Sequence, residues 1–231
     1  MIKIHRDLLL GICPNLLHKT STMTSTQNEP QFLTIQPKIL YFGTPVALIT
    51  TVDVDGNANI GPISSAWALG YNVMLGMGCD SKTYHNLINN KECVVNLPSA
   101  NLYQNIERIS NLTGLNPVPE NKRERYRYEK DKFAAGNFKP MPAQIVKPPA
   151  ISNCPIQLEC TLENHYVIES NIDLMPLIAC MHMKVINVRI HDSLLINGNH
   201  INPSEWSPLI YNFRHYYSLG EKMGKNFRAE V

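Results

Sequence analysis

The chain has 231 residues, 44% of them hydrophobic and 17% charged, with a formal net charge of +2. That length allows one large domain or two small ones. The charge is too small to point to nucleic acid or a membrane surface, and no apolar run reaches the roughly 20 residues that span a bilayer. The six cysteines form no C-x-x-C pair and are too sparse for a disulfide scaffold, which fits a reducing, cytoplasmic setting.

Residues 1–30 read as a flexible extension and residues 31–231 as one domain. Leu8 to Cys13 is apolar after a basic start, but Asp7 precedes it, Pro14 breaks it, and no secretory cleavage site follows. Thr20 to Glu29 is rich in Ser and Thr. Acids are scarce in the extension, so import into an organelle stays open. Met23 as the functional start accounts for the same residues more simply.

Phe32 to Phe42 leads into an apolar, largely β-branched run, Val46 to Val52. Asp55-Gly56 follows, a turn pair whose glycine takes positive φ at no steric cost, and Asn59 to Ser65 returns from it. The two runs predict a β-hairpin. Trp67, beyond it, reads as a core or interface anchor. Val73 to Met77 predicts a third strand. Asp80 or Ser81 is then a helix N-cap, with the helix running to Asn90, and Cys93 to Leu97 predicts a fourth strand.

The start of that helix has the chemistry of an anion site. Its first backbone N–H groups have no partner inside the helix, and the positive end of the dipole lies there. Ser81 and Thr83 add hydroxyl donors and Lys82 a full charge, a combination suited to a phosphate. Ser64 and Ser65, ending the return strand, could add donors. A capping Ser81 with Lys82 in water explains the same residues without a ligand.

Ser99 predicts the cap of a second helix, with Leu102, Ile106 and Ile109 on one face. Gly114 to Ala150 has no clear period and holds six of the sixteen prolines. Its run Glu120 to Lys132, with six basic and four acidic residues, reads as a solvated loop or short helix. Long irregular excursions inside a domain tend to be functional. Ile156 to Glu163 alternates, with Ile156, Leu158, Cys160 and Leu162 opposite Gln157, Glu159, Thr161 and Glu163, and predicts a half-buried antiparallel strand. Ile178 to Ile190 predicts a longer strand. Cys180 and His182 share a face but have no further ligands at a metal spacing. Asn197-Gly198 signals another tight turn. The aromatic tail, Pro208 to Val231, reads either as a helix packed on the domain or as a segment reaching a neighbouring subunit's pocket. No dinucleotide fingerprint, P-loop or nucleophile elbow is present in the sequence.

Several of these segments, in this order and spacing, resemble the flavin reductase-like family of FMN-binding split barrels. They are NIGPISSAWALG from Asn59, DSKTYHNL from Asp80 and ECVVNLPS from Glu92. TGLNPVPE, FAAGNFKP and VKPPAI in the irregular stretch, CPIQLEC from Cys154 and PLIYNFRHYYSLGEKMG from Pro208 extend the likeness from about Pro37 to the C-terminus. The resemblance implies a mainly β fold: a β-barrel with short helices, Greek-key-like, forming a homodimer with two FMN sites. It places Ser64, Ser65, Ser81, Lys82 and Thr83 at the FMN phosphate, and adds Asn59 and Asn86 to the cofactor-binding set. The irregular stretch becomes a wall near the flavin or the dimer partner. NADH or NADPH would reduce the flavin by hydride transfer, with no catalytic acid or base required. The alternatives are an FMN electron carrier of flavoredoxin type that uses no nicotinamide, and a non-catalytic barrel.

Overall fold

Strand β1 (Phe42–Pro45) passes directly into β2 (Ala47–Val52), every residue of which is buried. The alternation of side chains explains why an unbroken apolar run is needed here. Ala47 and Ile49 face one apolar cluster, while Val46 and Leu48 face another. The computed structural model describes residues 31–229, and one compact unit begins at Lys38. The expected N-terminal extension lies outside the described residues.

The chain turns at Asp55-Gly56, with Gly56 at φ +83°, and returns as β3 (Ala58–Ile63), paired antiparallel with β2. Asp53 fixes the turn by accepting from the amides of Asp55 and Asn57 at 3.1 and 2.8 Å. Strand β4 (Ala66–Leu69) pairs with β5 (Asn72–Gly78). Helix α1 (Lys82–Asn90) follows, then β6 (Glu92–Leu97) and α2 (Tyr103–Ile109). A 3-10 turn, Ala100–Leu102, fills the place where a helix capped by Ser99 was expected; Ser99 makes no side-chain cap bond.

The excursion after α2 is built from short pieces. Strands β7 (Leu112–Thr113) and β8 (Arg127–Tyr128) pair in parallel. Helix α3 (Lys132–Ala135) is capped by Asp131, which accepts from the Ala134 amide at 3.0 Å. Strands β9 (Pro140–Met141) and β10 (Ala150–Ile151) close the excursion as an antiparallel pair. Two 15-residue strands come next, β11 (Ile156–Ser170) and β12 (Pro176–Ile190). A small hairpin, β13 (Leu195–Ile196) and β14 (His200–Ile201), turns at Asn197-Gly198 as expected.

The main sheet has the order β3-β2-β6-β11-β12-β5-β4. Strands β3 and β4 sit at its opposite edges, yet only Ser64 and Ser65 separate them in sequence. The sheet must therefore curl until its edges meet, and the β4–β5 pairing runs on into that short link, where the Gly76 amide donates to the Ser65 carbonyl at 2.7 Å. This is a split barrel. Its interior holds Ile49, Leu75, Cys93, Val95, Cys160 and Met181. Cys93 and Cys160 face each other across β6 and β11 as fully buried free thiols, in keeping with a core role. A second cluster joins β2 and β3 to α2, α3 and the tail through Leu48, Ile60, Ile106, Phe133 and Leu209.

Two expectations need correction. The face of β11 that carries Gln157 and Glu159 is not solvated. Glu159 is 0% exposed, and its carboxylate accepts from the amides of Gln144, Ile145 and Val146 at 2.9, 2.7 and 3.2 Å and from the Asn187 side chain at 3.0 Å. The excursion lies over this face and brings backbone donors that need acceptors. The tail is not a helix. It forms a hairpin of β15 (Ile210–Asn212) and β16 (His215–Tyr217), and β15 also pairs with β1. Its two turn residues, Phe213 and Arg214, both have positive φ, a geometry more often supplied by Asn or Gly, so the turn is not legible from residue type.

Candidate functional site

The barrel seam opens into a cavity of about 450 Å³, within the range of small-molecule sites. One side is the seam itself, Gly61 to Ser65 with Gly76 to Gly78. The start of α1 contributes Ser81, Lys82 and Thr83. The excursion contributes Thr113, Lys122, Tyr126 and Lys132. Tyr41 and the tail residues Tyr211 and Tyr216 complete an aromatic side. Tyr211 and Tyr216 are directly paired across the tail hairpin with ring centroids 5.5 Å apart, and Tyr41 stands edge-on to Tyr211, also at 5.5 Å.

Five residues named from sequence, Ser64, Ser65, Ser81, Lys82 and Thr83, line this cavity together. The sequence explains why. Ser64 and Ser65 are the two residues that link the edges of the sheet, and Ser81 starts the helix that crosses the seam. Ser81 accepts from the Tyr84 amide at 3.2 Å, which leaves the Lys82 and Thr83 amides without partners inside the helix. No acidic residue stands in the first turn. Asn59 and Asn86 do not line the cavity. Both are buried behind it, where Asn59 donates to Thr83 Oγ1 at 3.1 Å and Asn86 to Thr51 Oγ1 at 3.0 Å. Short amides at these positions join α1 to the barrel.

The charges around the cavity are arranged unequally. Lys82 Nζ lies 3.2 Å from Asp53 Oδ2, and Lys122 Nζ lies 2.7 Å from Asp80 Oδ1. Burial pulls the Asp53 carboxyl up, but the bonds from Asn57 and the Lys82 charge outweigh it and leave it below its ordinary range. Asp80 behaves alike, with Lys122 and Asn121 outweighing burial. Lys132 is different: it is 4% exposed, its Nζ donates to the Ile60 carbonyl at 2.9 Å, and no carboxylate among the described residues lies within ion-pair distance. Burial, then repulsion from Lys122, brings its pKa down to about 8.

Sequence reasoning did not find Lys122, Tyr126 or Lys132, because the run that holds them has no period and reads as solvated. The only local signal was that Asp131 can cap a helix and Phe133-Ala134-Ala135 can bury one face, which would draw Lys132 inward. Tyr211 and Tyr216 were named as aromatics of the tail but with no position. His182 bonds Asn72 at 3.0 Å, and among the described residues no group of three or more His, Cys, Asp or Glu could hold a metal ion. Among the same residues no helix is long and apolar enough to cross a membrane.

The chain is 42% identical over 206 residues to YdfE of Bacillus subtilis (strain 168), an uncharacterized protein, covering 89% of this chain and 98% of that one. Among solved structures it is similar to the flavoredoxin of Desulfovibrio vulgaris (Miyazaki F), with TM-score 0.67 and 20% identity over 86% of this chain and 99% of that one. It is also similar to nitrilotriacetate monooxygenase component B from Bacillus cereus, with TM-score 0.66 and 18% identity over 85% and 100% of the two chains. These likenesses establish the shared fold. Residues 39–220 match the family model of the flavin reductase like domain, and the chain belongs to that family.

Proposed function

We propose that this protein binds FMN in the seam cavity and that NADH or NADPH reduces the bound flavin. The observation that carries the reading is the cavity's two-sided chemistry. One corner offers the α1 amides and the hydroxyls of Ser64, Ser65, Ser81 and Thr83, which suit a phosphate; the opposite chemistry, an aromatic side of Tyr41, Tyr126, Tyr211 and Tyr216, suits a ring system. Membership of the flavin reductase like family supports a flavin as that ring.

When bound, the flavin supplies the hydride acceptor, so the chain needs no acid or base of its own. Its residues have to hold the phosphate, position the ring and limit water. Ser81 caps α1 and fixes the donors of its first turn, and Lys82, tethered to Asp53, keeps its stem along the wall. The tail hairpin, held by the Phe213 amide donating to the Tyr41 carbonyl at 2.6 Å, keeps its tyrosines on the cavity.

The same proposal includes a homodimer. Trp67 on β4 is 60% exposed, and Ile168 and Leu174 at the far end of the β11–β12 arm are exposed as well. Trp67 is on an edge strand and Leu174 in the β11–β12 turn, and exposed apolar side chains gathered into a patch mark an interaction surface. A cytoplasmic setting is supported by the described cysteines, all of them free. The test is steady-state oxidation of NADH and NADPH with added FMN. Oxidation that depends on FMN supports the reading. Tight FMN binding with neither nicotinamide consumed would replace it with the electron-carrier reading.

A further inference from the structure

The geometry points to Lys132 as the residue that supplies the charge for the ligand's phosphate, in place of Lys82, which the sequence singles out. This rests on the flavin reading above. Three lysines line the cavity, and Asp53 and Asp80, paired with Lys82 and Lys122, leave Lys132 as the one of the three without a carboxylate partner among the described residues. An ammonium has three donors, and Lys132 spends one on the Ile60 carbonyl. A buried charge with donors to spare is costly unless a counterion arrives, and Lys132 lines the cavity.

Position supports the same assignment. The Ile60 carbonyl that Lys132 holds immediately precedes Gly61. A Cβ on Gly61 would collide with Thr83 Oγ1, so this part of β3 touches the first turn of α1. A Cβ on Gly114 would come within 3.0 Å of the Lys82 stem and 2.7 Å of Asn59 Oδ1. Lys132 therefore stands at the corner that already gathers the α1 amides and the hydroxyls. Lys82 is there too, but its charge is shared with Asp53, and the Asp53 carboxylate is itself pinned by Asn57.

FMN carries a phosphate that riboflavin lacks, so the pair isolates this interaction. Binding of both is measured calorimetrically for wild type, Lys132→Met, Lys132→Arg and Lys82→Met. Lys132→Met is expected to lose FMN affinity by about tenfold or more, the range of a charge-assisted bond, with riboflavin changed less than about threefold. Lys132→Arg should keep most of the preference, and Lys82→Met should lose less of it than Lys132→Met. The wild-type ratio of FMN to riboflavin affinity should fall by up to about tenfold from pH 7 to pH 9 as Lys132 loses its proton, and the ratio for Lys132→Met should stay flat. The other titratable groups on the cavity are Tyr41, Lys82, Lys122, Tyr126, Tyr211 and Tyr216, and α2, packed on α3, carries Tyr103, Glu107 and Arg108. They are common to both proteins and drop out of the comparison. Equal losses for both flavins, with a lower melting temperature in the ligand-free variant, would give Lys132 a structural role and overturn the assignment. No loss for either flavin would also overturn it, while leaving the flavin reading standing. If Lys132→Met fails to fold, a wild-type ratio that is flat with pH overturns the assignment by itself. Wild type that binds neither flavin overturns both readings.

Discussion

Glu159 offers a quantitative check on how the excursion is held to the barrel. Its carboxylate takes three backbone amides of the excursion and the Asn187 amide, all in a site with no exposure. Glu159→Ala leaves those donors buried and unpaired. Each such group costs roughly 1–3 kcal/mol, but the losses are not additive, and breaking a buried charged network as a whole costs about 3–5 kcal/mol. Glu159→Gln should cost somewhat less, since one acceptor oxygen survives. The pH dependence follows from the direction of the shift. Burial raises the carboxyl, but the four donors outweigh it and lower it below its ordinary value. Its contribution is therefore complete above the unfolded pKa, roughly 4.3, and disappears as pH falls through the lower folded pKa. Urea denaturation at pH 7.5 should show the full difference between wild type and Glu159→Ala, and the difference should shrink at pH 4 and below. Hydrogen exchange at residues 144–146 should speed up in the variant. A cost under about 1 kcal/mol at pH 7.5, or a cost independent of pH, would refute the idea that this carboxylate anchors the excursion.

Gly61→Ala pushes a methyl into Thr83 and breaks its bond from Asn59, so it should destabilise by about 1–3 kcal/mol and weaken FMN more than riboflavin, since Thr83 stands in the phosphate corner; a thermal melt and a flavin titration read both. Tyr211→Ala removes an aromatic side of the cavity and should weaken both flavins by about tenfold without touching the FMN-to-riboflavin ratio, as fluorescence titration would show. Trp67→Arg combined with Ile168→Asp should convert a dimer to a monomer in light scattering at micromolar concentration, and a wild-type monomer would contradict the proposed assembly.

The barrel was legible because its signals are local. Val46 to Val52, buried on both faces, is an uninterrupted apolar run, and Asp55-Gly56 marks its hairpin. Ser81 is a cap by type and by geometry, accepting from Tyr84. Half of the site was legible for the same reason, since Ser64, Ser65, Ser81, Lys82 and Thr83 lie on or beside these elements. The other half depends on where non-periodic segments fold back. Only the Asp131 cap and the apolar residues after it distinguish Lys132, buried against Ile60 across 72 positions of sequence, from the lysines around it. Glu159 alternates as a polar-face residue should, and only the amides that arrive from Gln144 to Val146 make that face an interior. Asn59 and Asn86, named with the serines, Lys82 and Thr83, lie off the cavity lining, where their amides donate to Thr83 and Thr51.

The central claim is that the seam cavity holds FMN that a nicotinamide can reduce. It is tested most directly by the absorption spectrum of the purified protein with equimolar FMN, followed by anaerobic titration with NADH and then NADPH. The account predicts a flavin spectrum shifted by the protein environment, retained on gel filtration, and bleached by one equivalent of at least one nicotinamide. FMN that elutes free of the protein, with an unshifted spectrum at every concentration tried, would contradict it.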